Sequence, residues 1–208
     1  MSNQSLLERK YTGRRAELKR VILNEALACF LEHGIEMTTI DMIRERADTS
    51  VGAIYHHFKN KEGIVATLYV MAIDDQAECR DRDLAKAGSV EQGIQCIIES
   101  YIAWVVDYPD FARFLYAANF SIAKSIEHDE LKQRNALRNQ HLLAWMKQQS
   151  DYAMIQNIPH ELLLSLVVGS TESYCRAWLS HKVKSSPHLY KKQLAESAWN
   201  CLEKLGNI

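Results

Sequence analysis

Turn-forming residues are scarce in this chain. Gly (8) and Pro (3) make up 11 of 208 residues, where average usage gives roughly 25. So few breakers exclude collagen-like and low-complexity classes and point to helices. Cysteine is sparse and unclustered. Cys29, Cys79, Cys96, Cys175 and Cys201 stand singly with no Cys-x-x-Cys spacing, and such an odd set reads as reduced thiols, mostly core filler. Excess charge is missing too, since 25 Lys and Arg face 26 Asp and Glu, so no global field announces a nucleic-acid or membrane partner. The apolar stretches 94–106 and 162–168 are broken by polar residues and fall short of the roughly 20 residues a membrane span needs. The N-terminus is polar and then basic, without a leader-like apolar segment. These absences predict a soluble, cytoplasmic chain with no membrane partner. Its 47% hydrophobic content excludes intrinsic disorder.

Catalytic spacings are absent as well. Helical di-iron sites need Glu-x-x-His pairs, and no glutamate here has a histidine three residues on. No two of the eight histidines fall at i, i+4, so a helical His-pair metal site has no ligands. GxGxxG, GxxxxGKS/T and GxSxG do not occur. The chain reads as a non-enzyme with no metal and no cofactor.

What is present is helical periodicity, nearly throughout, and no strand alternation. A first long helix is predicted over 15–33, with Leu18, Ile22, Ala26, Cys29 and Phe30 on one stripe and Gly34 at its end. A short helix over 38–47 follows, with Thr38 and Asp41 spaced as a capping box. Asp48-Thr49-Ser50 interrupts the pattern, and Ser50 caps a second short helix whose Ile54 and Phe58 face inward. From Asn60 a long helix buries Ile64, Leu68, Met71 and Ala72, then enters solvent over the charged stretch 74–83. Further helices are predicted over 90–106, 111–123, 127–149, 160–182 and 189–205. The fold class is all-α, with about nine helices.

The two short helices and their tight polar turn have helix-turn-helix spacing. In that motif the second helix enters the major groove, so its outer face must be slim and polar. Ser50, Val51, Gly52, Ala53, Tyr55 and His56 meet that need. Gly52 permits close approach, Val51 suits a thymine methyl, and Tyr55 and His57 can reach phosphate oxygens. Lys61 opens the next helix, where its ammonium and the free N–H groups suit a phosphate.

The run Thr38-Thr39-Ile40, Ile43, Ala47, Ser50-x-Gly52-x-x-Tyr55-x-His57-Phe58-x-x-Lys61-Glu62 resembles the TetR family of bacterial transcriptional regulators, over about residues 16–68. The resemblance implies an N-terminal three-helix DNA-binding head. It assigns phosphate contacts to Thr39, Tyr55, His57 and Lys61, and base-edge positions to Ser50, Val51, Gly52 and His56. It implies a homodimer on a palindromic double-stranded DNA operator, released by a small-molecule inducer in the C-terminal domain. Arg44, Asp48 and Thr49 stand where the family usually has Ala, Gly and Val. Asp48 can adopt the left-handed turn a glycine would supply, and Arg44 is expected to snorkel outward toward Asp48 or a phosphate.

Six basic residues among the first twenty (Arg9, Lys10, Arg14, Arg15, Lys19, Arg20) face only Glu8 and Glu17. They read as a basic arm that releases counterions on DNA. Toward the C-terminus, seven aromatics between 101 and 120 form either core or a cavity lining. On the helix 127–149, Leu131, Asn135, Arg138, Leu142, Trp145 and Met146 share a face, and a buried Arg138 needs a ligand anion or carbonyl, an internal acid or a route to solvent. Trp104, Phe111, Phe114, Asn135, Arg138, Trp145 and Tyr174 are the candidate ligand pocket. The helix 160–182 is apolar around more than half its circumference, which suits a dimer seam shared with the last helix. The expected organisation is a helix-turn-helix DNA-binding domain with its basic arm over 1–62. A helical ligand-binding and dimerisation domain over 63–208 completes a ligand-responsive regulator, a repressor on first reading. The alternative keeps the DNA binder and replaces the metabolite with a protein partner.

Overall fold

The computed structural model describes the backbone of residues 3–122 and 128–206, and the side-chain surroundings of these except at 119–132. The described residues form ten α-helices and no strand: α1 (Asn3–Lys10), α2 (Glu17–His33), α3 (Ile40–Arg46), α4 (Val51–Phe58), α5 (Lys61–Leu84), α6 (Val90–Asp107), α7 (Pro109–Ile122), α8 (His128–Lys147), α9 (His160–Leu179) and α10 (Lys191–Gly206). None is long and apolar enough to cross a membrane. Two compact units result, one from Met1–Asp74 with Asp107–Lys132, the other from Asp75–Val106 with Gln133–Ile208. They cut across the expected boundary at 62–63, because the apolar face of α2 continues onto α7.

In the first unit α2 buries Ile22, Leu23, Ala26, Leu27, Cys29 and Phe30. Leu18, expected on that stripe, is 37% exposed. Ile43 of α3, Ile54 and Phe58 of α4, and Phe111, Phe114 and Ala118 of α7 complete the core. Phe30 and Phe114 stack with ring centroids 5.8 Å apart and 21° between planes. The segment expected as a basic arm begins with α1, a docked helix with Leu6 and Leu7 wholly buried. An eight-residue helix cannot hold itself in water, so the leucine pair is what makes it fold. Three of the six basic side chains are bound internally, through Arg9–Tyr108, Lys19–Tyr11 and Arg20 to the Tyr11 and Gly13 carbonyls. Arg14 and Arg15 stay exposed on a short 3₁₀ turn.

In the second unit α6 buries an apolar face from Val90 to Val105 and is capped by Asp151, whose carboxylate accepts from the Val90 N–H at 2.8 Å and the Glu91 N–H at 3.4 Å. Gly93 lets Trp145 of α8 lie on α6, since a Cβ there would collide with the edge of the indole. Leu163, Val167, Thr171, Cys175 and Leu179 give α9 a buried seam at four-residue spacing. The charged stretch 74–83 does not lie wholly in solvent, as expected from its composition. Asp75 is 1% exposed and accepts from the Trp104 indole N–H at 3.0 Å. All five cysteines are free thiols. Cys29 and Cys175 are buried filler, burial pushing Cys175 up to about 12, while Cys201 is exposed on α10.

Candidate nucleic-acid interface

Thr39, not Thr38, caps α3, its side chain accepting from the Met42 N–H at 3.2 Å. Thr38 is 1% exposed, and its hydroxyl is shared between the carbonyls of Gly34 (2.8 Å) and Cys29 (3.2 Å), tying the loop to α2. The helix then ends as a Schellman motif, with the Thr49 N–H on the Arg44 carbonyl and the Asp48 N–H on the Glu45 carbonyl. Asp48 takes φ 45°, the left-handed turn expected of it in a glycine's place. Arg44 pairs with Asp41 at 3.5 Å and Glu45 at 3.0 Å rather than with Asp48. Arg46 bridges to Glu25 and Glu32 of α2 at 3.2 and 2.6 Å, and fixes α3 on its neighbour.

Ser50 caps α4, accepting from the Ala53 N–H at 3.1 Å. From there the helix is strongly two-faced. Ile54 and Phe58 are buried, while Ser50, Gly52, Tyr55 and His56 are exposed and Val51 and His57 half-buried. A Cβ at Gly52 would meet nothing nearer than Ser50 Oγ at 3.9 Å, so the gap over this glycine opens outward. The expected reading residues therefore share one accessible face. Lys61 is placed differently from expectation. Its ammonium donates to the carbonyls of Ile35 (2.9 Å) and Glu36 (3.0 Å), closing the α2–α3 turn. One of its three N–H bonds remains for a phosphate. Asn60 caps α5 by accepting from the Gly63 N–H at 2.7 Å.

Sequence reasoning missed Lys19 as more than a basic charge. Its ammonium sits 4.2 Å from the Tyr11 ring centroid and 5.8 Å from that of Phe58. A lysine and a tyrosine eight residues apart, on different elements, leave no local signal. Partial burial first, then the neighbouring His56 and Lys19, hold the His57 imidazole below its ordinary value of 6.5. A phosphate opposite His57 would reverse that balance, so binding takes up a proton. Affinity for duplex DNA should then rise as pH falls below about 6.5. Stability of the free chain should fall over the same interval, because with a lowered imidazole pKa the unfolded chain binds more protons there. His57→Gln should flatten both trends, as checked by anisotropy titrations and thermal melts at about pH 5 to 8.

The candidate pocket residues divide between the two units. Phe111 and Phe114 are core of the first unit. Trp104, buried on Asp75, belongs to the second unit, with Trp145 half-buried against Gly93 and Tyr174 against Tyr190. Asn135 is exposed, and Arg138 is half-exposed and donates to the Asn135 amide oxygen. This corrects the buried-stripe expectation. Gln133 to Leu137 of α8 are all exposed, and among its described side chains only Leu142 and Met146 are buried. Phe120 and Leu131 lie outside the residues whose side chains are described.

Residues 22–68 match the family described as "Bacterial regulatory proteins, tetR family". The Transposon Tn10 TetC protein of Escherichia coli is 32% identical over 89 residues, 41% of this chain and 43% of that one. The HTH-type transcriptional repressor AcnR of Corynebacterium diphtheriae is 42% identical over 50 residues, 24% of this chain and 26% of that one. The chain thus spans less than half the length of these curated relatives. A TetR family transcription regulator of Marinobacter aquaeolei VT8 has a similar structure, at TM-score 0.75 and 17% identity over 89% of this chain and 96% of that one. That likeness concerns the fold.

Proposed function

We propose that this chain, which belongs to the TetR family of bacterial regulatory proteins, is a homodimeric transcriptional repressor released from a DNA operator by a small molecule. The observation that carries the reading is α4: Ile54 and Phe58 are 0% and 4% exposed, while Tyr55, one residue from Ile54, is 49% exposed. A helix so divided is anchored on one side and presents hydroxyl, imidazole and glycine on the other, the chemistry a major groove accepts. Ser50, Val51, Gly52 and His56 read base edges, and Thr39, Tyr55, His57 and the remaining Lys61 donor hold phosphates. Dimerisation through α9 and α10 is supported by Leu162 and Leu205, 42% and 37% exposed, and by open space over Gly169. A ligand within the second unit is supported by Thr171, whose hydroxyl is wholly buried without a hydrogen-bond partner.

The test is retention of a duplex taken from the DNA upstream of the protein's own gene, with sedimentation to count chains per duplex. Tyr55→Ala should weaken retention about tenfold or more, as loss of a hydrogen bond to a charged phosphate does. Its melting temperature should not change, since the side chain is half in water. Undiminished retention by Tyr55→Ala combined with His56→Ala would overturn the reading.

A further inference from the structure

The N-terminal helix is seated by its leucine pair and reaches further than its own length. From α1, Asn3 Nδ2 donates to Asp110 Oδ2 at 2.9 Å, and Arg9 Nη1 donates to the Tyr108 hydroxyl at 3.3 Å. The Arg9 guanidinium also stands 5.8 Å from the Tyr108 ring centroid. Asp110 lies in the first turn of α7, and Tyr108 directly precedes that helix, its carbonyl accepting from the Ala112 N–H. At its other end α1 runs into Tyr11, whose N–H donates to the Leu7 carbonyl at 2.9 Å. Arg20 Nη1 stitches this segment to α2, donating to the carbonyls of Tyr11 (2.7 Å) and Gly13 (3.0 Å). The Tyr11 ring lies against the Lys19 ammonium, which also faces Phe58, the buried last residue of α4. A chain of packed groups therefore joins Tyr108 and Asp110 to the reading helix by way of α1, Tyr11 and Lys19. All of it lies within one compact unit.

We propose that α1 is a positioning strap: it fastens the start of α7 to the head and, through the Tyr11–Lys19–Phe58 stack, sets the angle at which α4 is presented. Tyr11 and Lys19 are positioning residues and not DNA ligands. The inference rests on the reading of α4 as the DNA-reading helix. The physical case is that an ammonium 4.2 Å and 5.8 Å from two ring centroids is attracted to both. Lys19 is also partly desolvated, its pKa lowered by burial. A side chain engaged with Tyr11 and Phe58 in this way holds the end of α4, and truncating it frees that end.

The experiment uses the full chain carrying Leu7→Ser, Asn3→Ala with Arg9→Ala, Lys19→Met or Lys19→Arg. Amide hydrogen exchange without DNA is the first readout. Leu7→Ser and the Asn3/Arg9 double variant should speed exchange of residues 51–58 and 109–118 about tenfold, leaving 160–179 unchanged. Lys19→Met should speed 51–58 alone, and Lys19→Arg should restore it, since a guanidinium also stacks on rings. On the upstream duplex the strap variants should lose affinity with the salt slope kept. The pH midpoint of binding should rise in Lys19→Met, because His57 loses a cationic neighbour while His56 stays. Unchanged exchange, with a slope lowered by about 0.9 per basic side chain removed, would overturn the strap and make α1 a phosphate-binding arm. Should the unaltered protein fail to retain the duplex, the DNA reading fails, while the exchange data still decide whether α1 holds α4.

Discussion

Gly63→Ala should lose operator retention by roughly 100-fold, the size expected when one or two base contacts are misplaced, and should also lower the melting temperature. Gly63 lies in the first turn of α5, directly after the junction that carries α4. A Cβ there would fall on the Phe58 carbonyl oxygen, well inside the 3.0 Å that real Cβ contacts keep, and 3.2 Å from the Asn60 side-chain oxygen that caps α5. The obstruction is backbone, so it cannot be relieved by a rotamer change. That carbonyl is also committed: it accepts from the Asn60 N–H at 2.7 Å across Lys59, which takes φ 64°. The junction is a γ-turn, a strained conformation with little room to relax. Alanine gains about 1 kcal/mol of helix propensity over glycine. The overpacking cost is about 1–3 kcal/mol or more, and it outweighs the gain because both elements at the clash are fixed. The shift falls on the end of α4, so affinity suffers more than stability. Anisotropy on the upstream duplex and a thermal melt check both effects. A variant that binds as the parent does and melts higher would show that the junction has room.

The two-faced pattern of α4 was legible because its information is local. Ser50 as cap, Ile54 and Phe58 at helical spacing, and Asp48 in a glycine's place are all settled within a few residues, by capping and by backbone sterics. The buried row of α9 was legible for the same reason, since an apolar repeat shows in one helix. What escaped the sequence depends on distant partners. Leu6 and Leu7 in a polar segment look like chance until α2 and α7 supply a surface. Lys19 counts as one more positive charge until Tyr11 arrives above it. Asp75 sits in a run of charges, and only the Trp104 indole shows why it is buried. Arg138 failed in the opposite direction. Helical phase put it in line with Leu142 and Met146, but phase fixes the direction of a side chain, not whether another element covers it. The packing partner of Phe114 was hidden for the same reason: aromatic density near 101–120 is visible, whereas its stacking on Phe30 is not.

Phe114→Ala distinguishes the two places that residue can hold. As a ligand-pocket wall, its removal would leave the free chain nearly as stable as before and alter only the response to an inducer. As core of the unit that carries the reading helix, its removal opens a cavity between α2 and α7. Phe114 is 1% exposed and stacks on Phe30, itself 4% exposed. Deleting a buried phenyl ring costs about 3–5 kcal/mol, which for a chain of this size lowers the melting temperature by roughly 10 °C. Phe30→Ala should cost a similar amount. The double variant should fall short of the sum by about 0.5–1.5 kcal/mol, the part of the pair held by ring–ring contact. Thermal melts of the four proteins give the cycle directly. Because α3 packs on α2 and α4 packs on α3, residues 40–58 should lose exchange protection together with α7. If all four proteins melt alike, with 40–58 equally protected, α7 is no part of the head's core and the division of the chain at 62–63 regains its ground.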